Sequence, residues 1–239
     1  MFLLDEKKVK VVKKMVEVNF TGKELLNNEI FDTTIENVAK ENNIYNKDRK
    51  YHSLIITLGE KELHAKIEEE LGKMKVGEER VVSLTPSEAF GERKADLVRV
   101  VPIKVFQEQK INPVPGLMIN LGNAIAKVQS VSGGRVRIDL NNPLAGRDLE
   151  YTIKLIKEIT TKKEIGGKLF EKYYERIPGS TKTISEDKIE ITLPKETLAG
   201  LEKVNTAIIN LAKELGVTLV ISPGKEVKKT SETKKEEKK

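Results

Sequence analysis

The feature that most constrains this fold is a strict alternation of apolar and polar residues in two stretches that lie far apart in the chain. The first stretch, within residues 9–20, places Val16, Val18 and Phe20 on alternate positions. The second does the same from residue 149 onward, with Leu149, Tyr151, Ile153 and Leu155. Successive side chains of a strand point to opposite faces, so each stretch predicts a β-strand with one buried face. Shorter strands are predicted at residues 29–32, 54–58 and 81–84.

Helical periodicity is found between these strands. Leu63, Ile67 and Leu71 recur every four residues and are followed by Gly72. This spacing predicts an amphipathic helix over residues 60–71 that ends at the glycine. Thr33 with Glu36 three residues later is a capping-box pattern, so a short helix is predicted to begin there.

The last third of the chain has an α-β-α-β pattern. A second capping box, Thr161 with Glu164, predicts a helix through Tyr174, and strands are predicted at 187–193 and 217–222. A long helix ending at Gly216 is predicted between them. Its apolar face comprises Leu198, Leu201, Val204, Ile208, Leu211 and Leu215.

The pattern changes near residue 92. Short apolar runs at 97–101, 117–121, 124–131 and 136–140 are separated by turn residues, and almost no helical period is present. Residues 132–134 (SGG) predict a hairpin between the last two runs. Residues 92–140 therefore read as a small all-β domain.

Composition excludes several kinds of active site. The 239 residues include no Cys and only two histidines, His52 and His64. Zinc–thiolate sites and thiolate nucleophiles are thereby excluded, and no metal or cofactor is expected. Neither a serine nucleophile elbow nor a glycine-rich phosphate loop is present, which disfavours hydrolases, kinases and dehydrogenases.

The N-terminal sequence and the distribution of apolar and charged residues predict a cytoplasmic protein with no membrane partner. The N-terminus has no signal-peptide pattern, and no window approaches the roughly 20 apolar residues of a spanning helix. The formal net charge is +6, and residues 225–239 contribute seven Lys and four Glu. We interpret residues 224–239 as a solvated, disordered tail rather than a nucleic-acid arm.

Six segments in a fixed order carry a resemblance to a known family. They are residues 18–23 (VNFTGK), 29–34 (EIFDTT), 58–63 (LGEKEL), 74–78 (MKVGE), 86–91 (PSEAFG) and 142–146 (NPLAG). Over residues 9–157 the chain resembles the FKBP-type prolyl isomerases. It is most similar to the insert-bearing branch that includes the bacterial SlyD chaperones and the archaeal FKBPs.

The resemblance implies an α+β fold. An antiparallel half-barrel sheet would wrap around the predicted 60–71 helix, formed by residues 1–91 and 141–159. Residues 92–140 would be the inserted β domain, 160–223 a C-terminal α/β module and 224–239 the tail. SlyD-type tails are rich in His and Cys, and because this tail has neither, no nickel site is expected.

The resemblance also implies an isomerase pocket between helix and sheet. Asp32 would lie at the rim, and the backbone N–H of His64 would hold a substrate carbonyl. The lining residues carried over from the family are Phe20, Phe31, Leu54, Leu63, Ile67, Phe90 and Tyr151. Such a pocket needs no nucleophile, because the barrier of roughly 18–20 kcal/mol comes from amide resonance.

The insert of this branch is expected to hold unfolded polypeptide that contains proline. A domain of this size has little core, so some apolar residues should stay exposed as a binding surface. The candidates are Val98, Val100, Val101, Val105, Phe106, Met118 and Ile119.

Three alternatives stay open at this point. Ile67 replaces the family's common Trp and Phe90 its common Tyr, so the chain could be a holding module with weak catalysis. The basic composition also allows a ribosome- or nucleic-acid-associated factor, although the predicted C-terminal strands have no aromatic residue to stack bases. Finally, the module at 160–223 could pair two chains into a homodimer.

Overall fold

The computed structural model describes residues 13–122, 124–185 and 188–224. The strands within these ranges are β1 (Met15–Glu24), β2 (Glu29–Thr33), β3 (Leu54–Thr57), β4 (Glu79–Leu84), β5 (Val98–Pro102), β6 (Met118–Asn120), β7 (Ile125–Ser132), β8 (Arg135–Asp139), β9 (Leu149–Ile159), β10 (Thr181–Ile184), β11 (Lys188–Leu193) and β12 (Thr218–Pro223). The helices there are α1 (Glu36–Glu41), α2 (Ala65–Lys73), α3 (Ile103–Glu108), α4 (Lys162–Tyr173), α5 (Lys195–Gly200) and α6 (Glu202–Glu214).

The two alternating stretches form the centre of the first sheet. Strands β1 and β9 pair antiparallel along ten residues, from Met15 opposite Ile159 to Glu24 opposite Leu149. β4 lies on the other side of β9, and β2 and β3 share the other edge of β1. The predicted one-faced burial is confirmed for both strands. The predicted start of the first strand, residues 9–12, lies outside the described residues.

Helix α2 packs its buried residues Ile67 and Leu71 on this sheet. It begins at Ala65, later than predicted, because residues 58–64 form a separate strap between β3 and α2. It also continues through Gly72 to Lys73, and Met74 adopts an extended conformation that ends the helix. The predicted glycine stop at Gly72 was therefore wrong.

The first predicted capping box is also wrong. Helix α1 begins after Ile35, which makes no side-chain cap. The Thr33 hydroxyl is fully buried, and it donates to the carbonyl of Phe20 at 3.1 Å. This residue therefore joins β2 to β1 instead of capping the helix. At the second box, by contrast, the Thr161 hydroxyl accepts from the N–H of Glu164, as predicted.

The inserted segment forms a separate sheet in the order β5-β8-β7-β6. Its inner face carries a core cluster that includes Val128, Val136 and Ile138. Helix α3, which the sequence did not predict, contributes Phe106 to this core. The helix spans only six residues, too few to show a repeating apolar period. The mixed α+β class with antiparallel sheets is confirmed; the division of the chain into domains stays a prediction.

The C-terminal module has one more strand than predicted. β10 pairs antiparallel with β11, and β12 runs parallel to β11 on the other side. Sequence reasoning missed β10 because its residues, TKTI, carry a single half-buried apolar side chain.

The long helix predicted before Gly216 is broken at Leu201 into α5 and α6. On α6, Val204, which was predicted on the apolar face, is exposed, while Asn205 is buried. Asn205 accepts a hydrogen bond from the Tyr174 hydroxyl at 3.1 Å, which satisfies its buried oxygen. Pairing of two chains through this module stays a prediction.

Candidate isomerase site

Five rings meet at one end of the first sheet. Tyr151 lies at their centre, with ring centroids 6.0 Å from Phe20, 5.6 Å from Phe31 and 5.9 Å from His64. His64 in turn contacts Phe90 edge-on at 4.9 Å. Most of these contacts have the edge-to-face geometry that aromatic pairs favour. We call this group of five residues the aromatic cluster.

Strand register explains why the rings meet. Gly22 lies opposite Asp32 on β2 and opposite Tyr151 on β9. A Cβ at Gly22 would lie 2.5 Å from Cζ of Phe31 and 3.1 Å from Cε1 of Tyr151. Only glycine leaves room at this position for the Phe31 ring to reach Tyr151.

Aliphatic side chains complete the same site. Ile67 on α2 is almost fully buried, and Leu54 and Leu63 pack against the same core. Phe90 is 37% exposed and stands at the open edge. The structure thus brings together the side chains predicted to line a pocket, while their contact with substrate stays a prediction.

Asp32 lies at the end of β2 with a half-exposed carboxylate. Its Oδ1 accepts a hydrogen bond from the backbone N–H of Thr33 at 2.8 Å. The same oxygen pairs with Nη1 of Arg49 at 2.6 Å. Arg49 comes from the loop after α1, where its guanidinium also lies 5.3 Å from the Tyr51 ring centroid.

Sequence reasoning missed Arg49. No local pattern connects residue 49 with residue 32, because the loop that joins them has no periodicity. The nearby Tyr45 and Tyr51 rings stack at 5.5 Å and help to hold this loop.

The environment of the cluster shifts the pKa values of two of its residues. Burial, reinforced by the negative charge of Asp32, raises the pKa of Tyr151 to about 12. Tyr151 is therefore a neutral hydroxyl donor at any physiological pH. Burial also lowers the pKa of His64, which favours a neutral imidazole.

His64 ends the strap and is the N-cap residue of α2. Its backbone carbonyl accepts from the N–H groups of Ile67 and Glu68. Its own N–H has no hydrogen-bond acceptor within the part of the chain that the structure describes. A free donor beside a cluster of rings could hold a carbonyl oxygen.

The insert residues predicted to bind polypeptide divide into two groups. Val100, Val105 and Met118 are exposed, and Val98 is half-buried. Phe106 and Ile119, by contrast, are 3% and 4% exposed and form the core, against which Val101 packs. These three are a correction to the predicted surface, because α3 covers the inner face of the sheet. Exposed residues that sequence reasoning did not single out are Val114, Leu121 and Ile125.

Strand register places several exposed residues on one side of the insert. Val100 lies opposite Arg137, and Met118 lies opposite Lys127. Paired residues share a face, so these apolar side chains lie among cationic ones on the side away from the core. We call this side, with Val98 and Ile125, the outer face.

A polar network joins the insert to the first sheet. The Asp139 carboxylate accepts from Arg93 Nη2 at 2.7 Å and from the Asn141 N–H at 2.9 Å. Although burial opposes ionisation, these donors hold the pKa of Asp139 at about 2. Asn141 also exchanges two hydrogen bonds of 2.9 Å with the backbone of Lys94. The segment that enters the insert and the segment that leaves it are thus hydrogen-bonded to each other.

Two clefts lie beside this joint. One of about 320 Å³ includes Met118 of the outer face and Asn142 and Pro143 of the loop after the insert. Another of about 670 Å³ includes Leu26 and Leu84 and shares no side chain with the aromatic cluster.

Within the described ranges, no group of three or more His, Cys, Asp or Glu side chains is placed to hold a metal ion. Nor does any helix in those ranges have the length and apolarity needed to cross a membrane.

Comparisons with known proteins agree with the geometry. The family model of FKBP-type peptidyl-prolyl cis-trans isomerases matches residues 6–107, and the model "FKBP26, IF domain" matches residues 99–144. A short-type peptidyl-prolyl cis-trans isomerase of Methanocaldococcus jannaschii is 36% identical over 126 residues, which are 53% of this chain and 80% of that protein.

More distant relatives belong to the same class. An FKBP-type isomerase, SlyD, of Vibrio cholerae is 31% identical over 108 residues, or 44% of this chain and 50% of that protein. An FKBP-type 16 kDa isomerase of Escherichia coli is 24% identical over 107 residues, which are 43% of this chain and 72% of that protein. The chain therefore belongs to the FKBP-type peptidyl-prolyl cis-trans isomerases, as the six motifs predicted. It is an enzyme that catalyses rotation about X–Pro bonds.

Proposed function

We propose that this isomerase acts as a folding chaperone, with the insert holding an unfolded client while the aromatic cluster turns its X–Pro bonds. The observation that carries the proposal is the outer face, where Val100 and Met118 are 60% and 49% exposed. Exposed apolar residues grouped on one face commonly mark a binding surface. The neighbouring Arg137 and Lys127 add a cationic character that favours clients with acidic residues.

The aromatic cluster would favour the twisted amide. Rotation breaks amide resonance and removes charge separation, so a site with little water stabilises the twisted state relative to the planar one. Each 1.36 kcal/mol gained in this way is about tenfold in rate. The proline ring would lie against Tyr151 above Ile67, with Phe90 at the open edge.

Polar groups at the rim would orient the substrate. The free N–H of His64 would hold a client carbonyl, and the Asp32 carboxylate would polarise the twisted amide without proton transfer. Tyr151 adds a hydroxyl that stays protonated, and this donor would offset the hydroxyl missing at Phe90.

The polar network of Arg93, Asp139 and Asn141 would couple client binding by the insert to rotation of the X–Pro bond at the aromatic cluster. The 320 Å³ cleft brings Met118 of the outer face close to the loop of Asn142 and Pro143. A client segment bound there would lie near the isomerase domain, which raises its effective concentration at the cluster.

The double variant Val100→Ser/Met118→Ser tests the holding surface. We expect it to lose most of the acceleration of a proline-limited protein refolding reaction, and most suppression of client aggregation. Its activity on a short prolyl peptide should stay within about twofold of wild type, since a short peptide needs no second holding surface.

Val81→Ser is the matched control. Val81 is 60% exposed, as Val100 is, but it lies on β4 of the first sheet, outside the insert. It should leave both activities unchanged. Equal acceleration of protein refolding by the double variant and by wild type would contradict the chaperone proposal.

A further inference from the structure

The strap, residues 58–64, is the segment through which the C-terminal module reaches the aromatic cluster. It carries Leu63 and His64 to the cluster. It also contains two left-handed residues, Gly59 with φ 91° and Lys61 with φ 58°. A non-glycine residue in this conformation needs support from its surroundings.

Part of the support comes from the isomerase domain. The Glu68 carboxylate on α2 accepts from the N–H of Gly59 at 2.9 Å and from the N–H of Leu63 at 3.1 Å. The N–H of Glu60 donates to the carbonyl of Thr57 at 3.1 Å. These bonds hold both ends of the strap.

The middle of the strap is held from the C-terminal module. Oε1 of Glu62 accepts from the N–H of Thr57 at 3.2 Å, and Oε2 forms an ion pair with Nζ of Lys172 on α4. Both side chains are only 21% exposed, so solvent screens this pair less than a surface pair. Nζ of Lys172 also donates to the carbonyl of Ile55 at 3.0 Å.

The packing around this contact joins the module to the back of the pocket wall. Ile55 on β3 packs against the core of the C-terminal module, as do Met15 and Ile159. The neighbouring residue on β3, Leu54, faces the core that holds the aromatic cluster. One strand thus separates the module from the cluster.

We propose that Lys172 is a positioning residue for the isomerase reaction, and that the C-terminal module sets the geometry of the pocket through the Lys172–Glu62 pair. Lys172 does not touch the cluster. It fixes Glu62, and Glu62 fixes the strap that presents Leu63 and the His64 N–H. The inference rests on the pocket assigned under the proposed function.

The test measures kcat and KM for a short prolyl peptide with Lys172→Met and Glu62→Gln. Lys172→Met keeps most of the apolar stem, and Glu62→Gln is isosteric. We expect both to lower kcat/KM by about 3- to 30-fold, mainly through KM, because a misplacement of about 1 Å can cost about 100-fold and a loosened strap should move by less. If Lys172→Met fails to fold, Glu62→Gln decides the question.

Lys168→Met is the matched control. Lys168 lies on the same helix, and its ion pair with Glu171 stays within α4. It should leave kcat/KM within about twofold of wild type. Loss of activity in this control would show that any charge change on α4 disturbs the enzyme, and would overturn the specific role of Lys172.

NMR of the histidine rings provides a second readout, which reports on the geometry of the pocket without any turnover of substrate. The chain has only two histidines, so the ring resonances of His64 and exposed His52 are easily separated by NMR. We expect Lys172→Met and Glu62→Gln to shift the His64 resonances and its titration midpoint, and to leave His52 unchanged. Unchanged kcat/KM, or lost activity with unmoved His64 resonances, would overturn the inference.

The two proposals fail separately. If Phe90→Ala lowers activity on the same peptide while Lys172→Met and Glu62→Gln do not, the pocket stands and the positioning role is wrong. If Phe90→Ala has no effect, the pocket assignment itself is wrong.

Discussion

Asp32, at the rim of the aromatic cluster, shares its carboxylate between the N–H of Thr33 and the guanidinium of Arg49. The loop that carries Arg49 also contacts Tyr51 through the same guanidinium. The Arg49 guanidinium fixes the orientation of the Asp32 carboxylate and offsets its negative charge. The orientation of the Asp32 carboxylate therefore depends on a residue 17 positions further along the chain.

Removing this cation should lower activity more than stability. We expect Arg49→Ala to reduce kcat/KM on a prolyl peptide by about 2- to 5-fold, because Asp32 loses its orientation. Both side chains are more than a third exposed, so unfolding free energy should change by under about 1 kcal/mol. Lys47→Ala, in the same loop, is the control. A wild-type rate for Arg49→Ala would show that the pair has no role in catalysis.

The half-buried His64 ring should make stability depend on pH. Burial lowers its pKa below the ordinary value of 6.5, so the unfolded chain takes up a proton before the folded chain does. This contribution is complete above pH 6.5 and is lost as the pH falls through the lower folded pKa. Urea unfolding of His64→Leu should show a flatter pH profile than wild type between pH 7 and 5. The same slope in both proteins would contradict this prediction; His52→Leu is the control.

Single residues of the site were predictable where a motif carried them. Phe20 and Tyr151 lie in strands whose alternation predicts a buried face, and Phe31 lies in a segment that carries the resemblance to the family. Arg49 and Lys172 were not predictable, since each reaches the site across a gap that no local period spans. Phe106 was misassigned because a short apolar run does not reveal which side a helix will cover.

At the scale of elements, the contact between α4 and β11 leaves no room for a side chain at Gly166. A Cβ at Gly166 would lie 1.8 Å from Cδ1 and 2.5 Å from Cγ1 of Ile189, which is almost fully buried. At the next residue, Gly167, a Cβ would meet only Cδ1 of Ile184 at an ordinary 3.9 Å. These two adjacent glycines provide a matched pair.

Gly166→Ala should destabilise the protein by about 1–3 kcal/mol, because the added methyl overpacks a buried site. Gly167→Ala should be neutral or stabilise by up to about 1 kcal/mol, since alanine favours the helix. Urea unfolding midpoints of the two variants make the comparison. Equal midpoints would show that α4 can move away from β11 without cost.

β9, which has a clear apolar alternation, and α4, which has a helix cap at Thr161, were predicted within a few residues. The elements whose prediction failed are short or polar. β10 has one apolar side chain, α3 has six residues, and α5 and α6 share one apolar stripe that hides the break at Leu201. Near the break, the buried Asn205 accepts from the Tyr174 hydroxyl, and such a tertiary contact leaves no signal in the helix sequence itself.

At the scale of the whole molecule, the described chain connects three sheets through two kinds of contact. The insert is tied to the first sheet by the network of Arg93, Asp139 and Asn141. The C-terminal module is tied to it by a shared apolar core and by the Lys172–Glu62 pair. The strap ends at His64 of the aromatic cluster, and Arg93 of the polar network follows Phe90 of that cluster by three positions in the sequence.

The measurement that tests this account most directly is the exchange rate of a prolyl peptide, followed by NMR, with Phe90→Ala and Val81→Ala. Both side chains are exposed, at 37% and 60%, so neither change should disturb the fold. The account predicts a loss of about tenfold or more for Phe90→Ala, equivalent to about 1.4 kcal/mol of transition-state stabilisation, and no loss for Val81→Ala. A Phe90→Ala enzyme that turns the peptide as fast as wild type would contradict it.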